Sequence, residues 1–302
     1  MSGFIGLALQ QILPVGWAFG GLLLLRACSG LFYAAVPATG AALIADHVPP
    51  GARTRALAGL GAASALGLIA GPGLTAGLAG AGLLLPVALP AALPFLAWLV
   101  MAWWLPRDAA APAAVVAPPA WRDARLRRPV AVAFCAMLCV SIAQVSVGFF
   151  ALDRLHLDPA AAGRTAGIAL TGVGLALVLA QLVLRALVWP AARWIGLGAA
   201  VSAVGFGSVA FAQGPLALWL GYFVAAFGMG WVFPSVAGLA ADAVQAGEQG
   251  AAAGAVAAAH GWGMILGPLL GTAVYGLDIR APYALMALVL AGVALGLRRA
   301  LR

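Results

Sequence analysis

Apolar runs of about 20 residues follow one another along almost the whole chain, and each is long enough as a helix to cross a hydrocarbon layer of roughly 30 Å. Read between polar or Gly/Pro breaks, they fall near 3–18, 20–45, 56–79, 83–105, 130–152, 165–188, 194–213, 216–241, 250–276 and 281–301. In lipid a backbone must satisfy its own hydrogen bonds, and a helix does this within the segment. The expectation is therefore an all-α, polytopic membrane protein with about ten transmembrane helices. Composition excludes the soluble alternative, since only 8% of the residues are charged against 65% hydrophobic, whereas an ordinary globular chain is roughly a quarter charged.

The net charge of +8 would point a soluble protein toward nucleic acid. Here the basic residues, all Arg, lie mostly in short loops, where they set orientation instead. Arg53, Arg55, Arg107, Arg122, Arg125, Arg127, Arg128, Arg185, Arg193, Arg298, Arg299 and Arg302 fall on one side, and Arg154, Arg164 and Arg280 on the other. That bias, twelve to three, predicts that the central loop and both termini are cytoplasmic in a multi-pass protein of the cell membrane. The Ala/Pro-rich, Arg-ended stretch 107–128 reads as a cytoplasmic linker between an N-terminal part, 1–106, and a C-terminal part, 129–302. Cys28, Cys135 and Cys139 fall inside apolar spans, so no disulfide framework is expected.

Two stretches repeat each other at an offset of 196 residues. Asp46 pairs with Asp242, Gly67 with Gly263, Gly71 with Gly267 and Pro72 with Pro268, without a gap. Such self-similarity in an apolar chain is the mark of a duplicated transporter. The same offset carries residues 130–192 to positions before Met1. The first half is thus expected to hold four helices against six in the second.

These residues resemble the major facilitator superfamily, and within it the drug-proton antiporters of the tetracycline and multidrug exporter type. Arg26 followed by Gly30 is similar to the family's fourth-helix motif, and Asp46 through Arg53 and Arg55 to the cytoplasmic turn after it. Gly67, Gly71 and Pro72 resemble the antiporter motif of the fifth helix. Gly247-Glu248-Gln249-Gly250, with Gly254, Gly263, Gly267, Pro268 and Gly271, resembles the corresponding loop and eleventh helix. The likeness covers almost the whole chain as family helices three to twelve. Helices one and two are lacking, as is the acidic-basic motif between helices two and three, and Thr75-Ala76 stands where the family usually has a Gly pair.

The resemblance implies a secondary active transporter that exports small lipophilic compounds against inward proton flow, by alternating access. The other reading is a truncated, non-transporting fragment, since helix one lines the family's cavity. No enzyme is expected, because no His/Asp/Glu cluster has ligand or nucleophile spacing. No cofactor, metal or nucleic-acid partner is implied. The partners are the bilayer, a small-molecule substrate and protons, and nothing in the sequence specifies an oligomeric state.

Arg26 is the one charge clearly inside a span, where its insertion costs roughly 2.5–3.5 kcal/mol. It should face a cavity or a partner, or snorkel to the interface; the resemblance associates it with proton coupling. His260 carries a proton or is a satisfied packing residue. Gln144 either lines a pathway or bonds a neighbouring helix, as does Gln181. Phe149, Tyr222, Phe223 and Phe227 form an aromatic wall for a lipophilic ligand, or face lipid. The Gly stripes, Gly67, Gly71 and Pro72 with Gly254, Gly263, Gly267, Pro268 and Gly271, either bend and pack where the two halves meet or are ordinary helix packing without a moving part. Asp46 with Arg53 or Arg55 forms a cytoplasmic charge latch, or the three are solvated loop charges.

Overall fold

The computed structural model describes residues 15–33, 66–67, 70–71, 74, 84–104, 123–187, 189–244 and 248–300. The chain forms two units, Met1–Pro112 and Ala113–Arg302. In the first, helix α1 spans Val15–Tyr33 and α2 spans Leu84–Trp104. Helix α1 runs unbroken through Phe19, where the expected spans 3–18 and 20–45 part, and on through Gly20 and Gly21. Glycine's helix penalty of about 1 kcal/mol per residue does not outweigh the need to close backbone hydrogen bonds in lipid. Both helices expose large apolar side chains, among them Trp17, Phe19, Trp98 and Trp103.

Among its described residues the second unit is a six-helix bundle: α3 (Arg127–Asp153), α4 (Pro159–Ala186), α5 (Ala191–Val209), α6 (Pro215–Asp242), α7 (Gln249–Tyr275) and α8 (Ala281–Ala300). Among the described residues five helices, α3 to α7, are long and apolar enough to cross a membrane. Connections of four to six residues, such as 187–190 and 243–248, make successive helices antiparallel. One end of the bundle therefore carries Arg125, Arg193 and Glu248, and the other Asp153, Asp158 and Asp278.

Helix α4 starts six residues before its expected apolar run at 165. Asp158 caps it, its carboxylate accepting the N–H groups of Ala160 and Ala161 at 3.0 Å each, and Pro159 occupies the first turn, where its missing donor costs nothing. The N–H of Ala161, helped by that of Ala160, holds the Asp158 carboxyl below its ordinary range. A carboxylate depressed on folding stabilises above its unfolded pKa and loses that contribution as pH falls. The thermal midpoint of the wild type should therefore drop more steeply between about pH 5 and pH 3 than that of Asp158→Asn, whose neutral cap does not titrate. Parallel curves for the two proteins would refute this.

Packing in the bundle follows small residues. Helix α5 lies along both α6 and α8, α3 along α7, and α4 along α6. The closest approach joins Gly198, Ser202 and Gly205 of α5 to Gly221, Ala225 and Gly228 of α6. A Cβ on Gly198 would stand 2.5 Å from the Gly228 carbonyl oxygen, and one on Gly205 only 2.7 Å from Ala225 Cα. The buried Ser202 hydroxyl donates to the Ala225 carbonyl at 2.7 Å. Around this seam Ile142, Phe150, Ile195, Phe206, Tyr222 and Tyr283 fill the core, while Val204, Phe211, Leu220 and Leu288 stay exposed on the outside.

Candidate functional site

The glycine stripe of α7 has a defined partner, and it lies inside the second unit. A Cβ on Gly263 would stand 2.8 Å from Leu138 N, one on Gly267 2.6 Å from Ser141 Cβ, and one on Gly271 3.2 Å from Ile142 Cγ2. All three glycines thus seat α7 on α3. Within this unit the stripe therefore packs one helix against another. In lipid, small residues allow backbones to approach wherever van der Waals contact is available, and here α3 supplies it. Gly254 stands apart from the stripe, exposed, with open space where a Cβ would be. Gly67 and Gly71 are helical and exposed. Pro72, Asp46, Arg53 and Arg55 lie outside the described residues.

The aromatic set divides three ways. Tyr222 is a core residue, 2% exposed, whose hydroxyl bonds the Ala143 carbonyl at 2.7 Å and the Tyr283 hydroxyl at 3.0 Å. Its ring meets Phe206 and Tyr283 edge-on. Phe227 packs edge-on against Trp231 at 4.8 Å, in a smaller cluster with Ala180 and Trp194. Phe223, one turn away on α6, is half-buried. Phe149 is exposed at the far end of α3 and lies 5.9 Å from the ring of Tyr275, whose hydroxyl donates to Asp153 at 2.6 Å. Gln144 is exposed on the same helix, whereas its neighbours Ala143 and Val147 are buried. Gln144 and Phe149 therefore mark the open side of α3, and Tyr222 does not share it.

His260 occupies the interface of α7 with α6. The imidazole meets the Phe233 ring edge-on at 5.5 Å, and its buried Nε2 has no hydrogen-bond partner among the described residues. Such an atom costs free energy, since its hydration is lost without replacement. Arg26 is part of α1; its side chain lies outside what is described.

Three charges at one end of the bundle are paired. At the start of α3, Arg125 bridges Asp123 at 2.7 Å and Glu248 at 3.1 Å. The pairing ties the residue before α7 to the approach to α3. These groups are open to solvent, which screens each pair and leaves it a weak contribution to stability. The Arg125 guanidinium, through its side-chain hydrogen bond, holds the Asp123 carboxyl below its ordinary range. At the same end Arg193 stacks on Trp189 with its guanidinium carbon 4.1 Å from the ring centre.

Sequence reading missed Tyr283, Ser141 and the α5–α6 glycines. Their signal was present in the spacing Gly198, Ser202, Gly205 and its counterpart Gly221, Ala225, Gly228, each at i, i+4, i+7.

No curated protein matches the chain. The family model described as Major Facilitator Superfamily matches residues 1–164 and residues 160–301. Together these stretches take in nearly every residue, and the apolar antiparallel helices agree with them. The chain belongs to the Major Facilitator Superfamily, a family of membrane transporters that bind small-molecule substrates.

Proposed function

We propose that this transporter exports small lipophilic compounds in exchange for protons, by alternating access between its two halves. The observation that carries the reading is His260, a titratable ring within α7 whose buried Nε2 has no hydrogen-bond partner among the described residues. Placed there it is equipped to take up and release a proton as the helix surroundings change. Arg26 is its partner in coupling, as the only charge inside a span of the first half. Gln144 and Phe149, on the open side of α3, meet the substrate together with Phe223 and Phe227 of α6. The Arg distribution supports cytoplasmic termini. In that orientation Asp46, Arg53 and Arg55 latch the cytoplasmic side of the first half, as Arg125 and Glu248 tie that of the second. The stripe of Gly67, Gly71 and Pro72 serves movement.

The test uses inverted membrane vesicles containing the full chain, ethidium as a fluorescent lipophilic probe, and an imposed proton gradient, acid inside. Probe uptake is expected to collapse on adding an uncoupler. Arg26→Ala and His260→Ala are expected to lower its rate tenfold or more at unchanged membrane abundance. Uptake indifferent to the uncoupler, or wild-type rates in both variants, would sink the reading.

A further inference from the structure

A proline inside a helix has no N–H for the carbonyl four residues earlier, so that oxygen loses its donor. The second unit has two such prolines, Pro234 within α6 and Pro268 within α7. The carbonyls they release belong to Gly230 and Met264. Both are met by a side chain from another helix. Gln181 of α4 donates its amide Nε2–H to the Gly230 carbonyl at 2.9 Å. Ser141 of α3 donates its hydroxyl to the Met264 carbonyl at 3.3 Å.

The surroundings leave these donors little freedom. A Cβ on Gly230 would stand 2.5 Å from Ala180 Cβ, so α4 and α6 touch at the very turn where the carbonyl is free. Next to it Trp231 donates its indole N–H to the Ala180 carbonyl at 3.0 Å. On the other pair, Gly267 brings α7 against Ser141 itself, and Ser141 is buried, 7% exposed. The two helix pairs also correspond: exchanging the triplet α3–α5 with α6–α8 turns the α3–α7 pair into α6–α4.

We infer that Gln181 and Ser141 clamp the two proline hinges, each supplying in trans the hydrogen bond that the proline removes. Each hinge then bends only as far as its partner helix allows, and α4–α6 and α3–α7 travel as fixed pairs when the transporter changes state. Two residue types make the difference between a free hinge and a held one. Without the donor, the orphaned carbonyl would stay unpaired in an apolar interior, which favours a wandering backbone. The inference rests on backbone geometry and is independent of which substrate is carried or which ion drives it.

The test is a double-mutant cycle on the purified full-length chain. Gln181→Leu is expected to lower the thermal midpoint by several degrees in the wild-type background. In a Pro234→Ala background, where the substitution restores the backbone N–H, the same change should lower it by less than half as much. Equal losses in the two backgrounds overturn the clamp. A second readout follows the helix itself. Spin labels at Leu220→Cys and Asp242→Cys, in a chain whose three native cysteines are replaced by alanine, flank Pro234 at about 33 Å along the helix. The distance distribution should be narrow in the wild type, broaden in Gln181→Leu, and narrow again in Gln181→Leu/Pro234→Ala. A Gln181→Leu distribution as narrow as the wild type also overturns it. If Gln181→Leu cannot be recovered folded, recovery of the double variant supports the clamp, and failure of both refutes it.

Discussion

Gly205→Ala is expected to destabilise the protein by several kcal/mol and to remove most of the folded material from the membrane, although alanine is the better helix former. The two effects oppose each other. Replacing a helical glycine by alanine gains about 1 kcal/mol in propensity. Against it stands a Cβ only 2.7 Å from Ala225 Cα and 2.8 Å from the Gly221 carbonyl oxygen. These are backbone atoms of α6, so no side chain can swing away; the helices must separate. Overpacking in cores costs roughly 1–3 kcal/mol where side chains yield, and here they do not. Separation also breaks the Ser202–Ala225 hydrogen bond at the same seam. Gly292→Ala on α8 is the control, because a Cβ there meets open space; it should hold or raise the thermal midpoint. Membrane abundance and thermal midpoint of the two variants decide the matter, and equal behaviour would show that the seam does not govern folding.

Gly267→Leu should likewise damage folding rather than movement alone. The added side chain starts from a Cβ position 2.6 Å from Ser141 Cβ and 3.0 Å from the Leu138 carbonyl oxygen, so it drives α7 off α3 and pulls Met264 from the Ser141 hydroxyl. A drop of several kcal/mol, read as a lowered thermal midpoint and loss of a monodisperse detergent-solubilised species, is the expected result. A stripe acting only between the two halves would give the opposite outcome: a protein of normal stability that fails in transport.

The two glycine seams show why one feature was legible in the sequence and the other was not. Gly263, Gly267 and Pro268 drew attention because the chain repeats them 196 residues apart. The α5–α6 seam has no such echo, and its glycines sit among many others. Helix ends were readable where a cap or a proline marks them, as at Pro215 for α6. They were misread at α4, where Asp158 and Pro159 open the helix before its apolar run begins. Ring chemistry in the sequence marks the aromatic residues of α6 but not where each one points. Tyr222 and Phe223 are neighbours in sequence, yet one helix step of about 100° turns Tyr222 into the core and leaves Phe223 half-buried.

Sequence alone therefore determined the apolar helical architecture, the resemblance to a transporter family and the residues whose chemistry is unusual inside a membrane, Arg26, His260 and Gln181 among them. Tertiary structure alone decided which helix each small stripe meets, that Tyr222 closes a core with Tyr283, and that Gln181 and Ser141 answer the carbonyls freed by two prolines. The reason is physical. In water a helix shows its inner face by apolarity, but a helix in lipid is apolar on both its inner and its outer face. The periodicity that reveals orientation in a soluble bundle is muted here, and close approach between backbones, visible only once the helices are packed, takes its place.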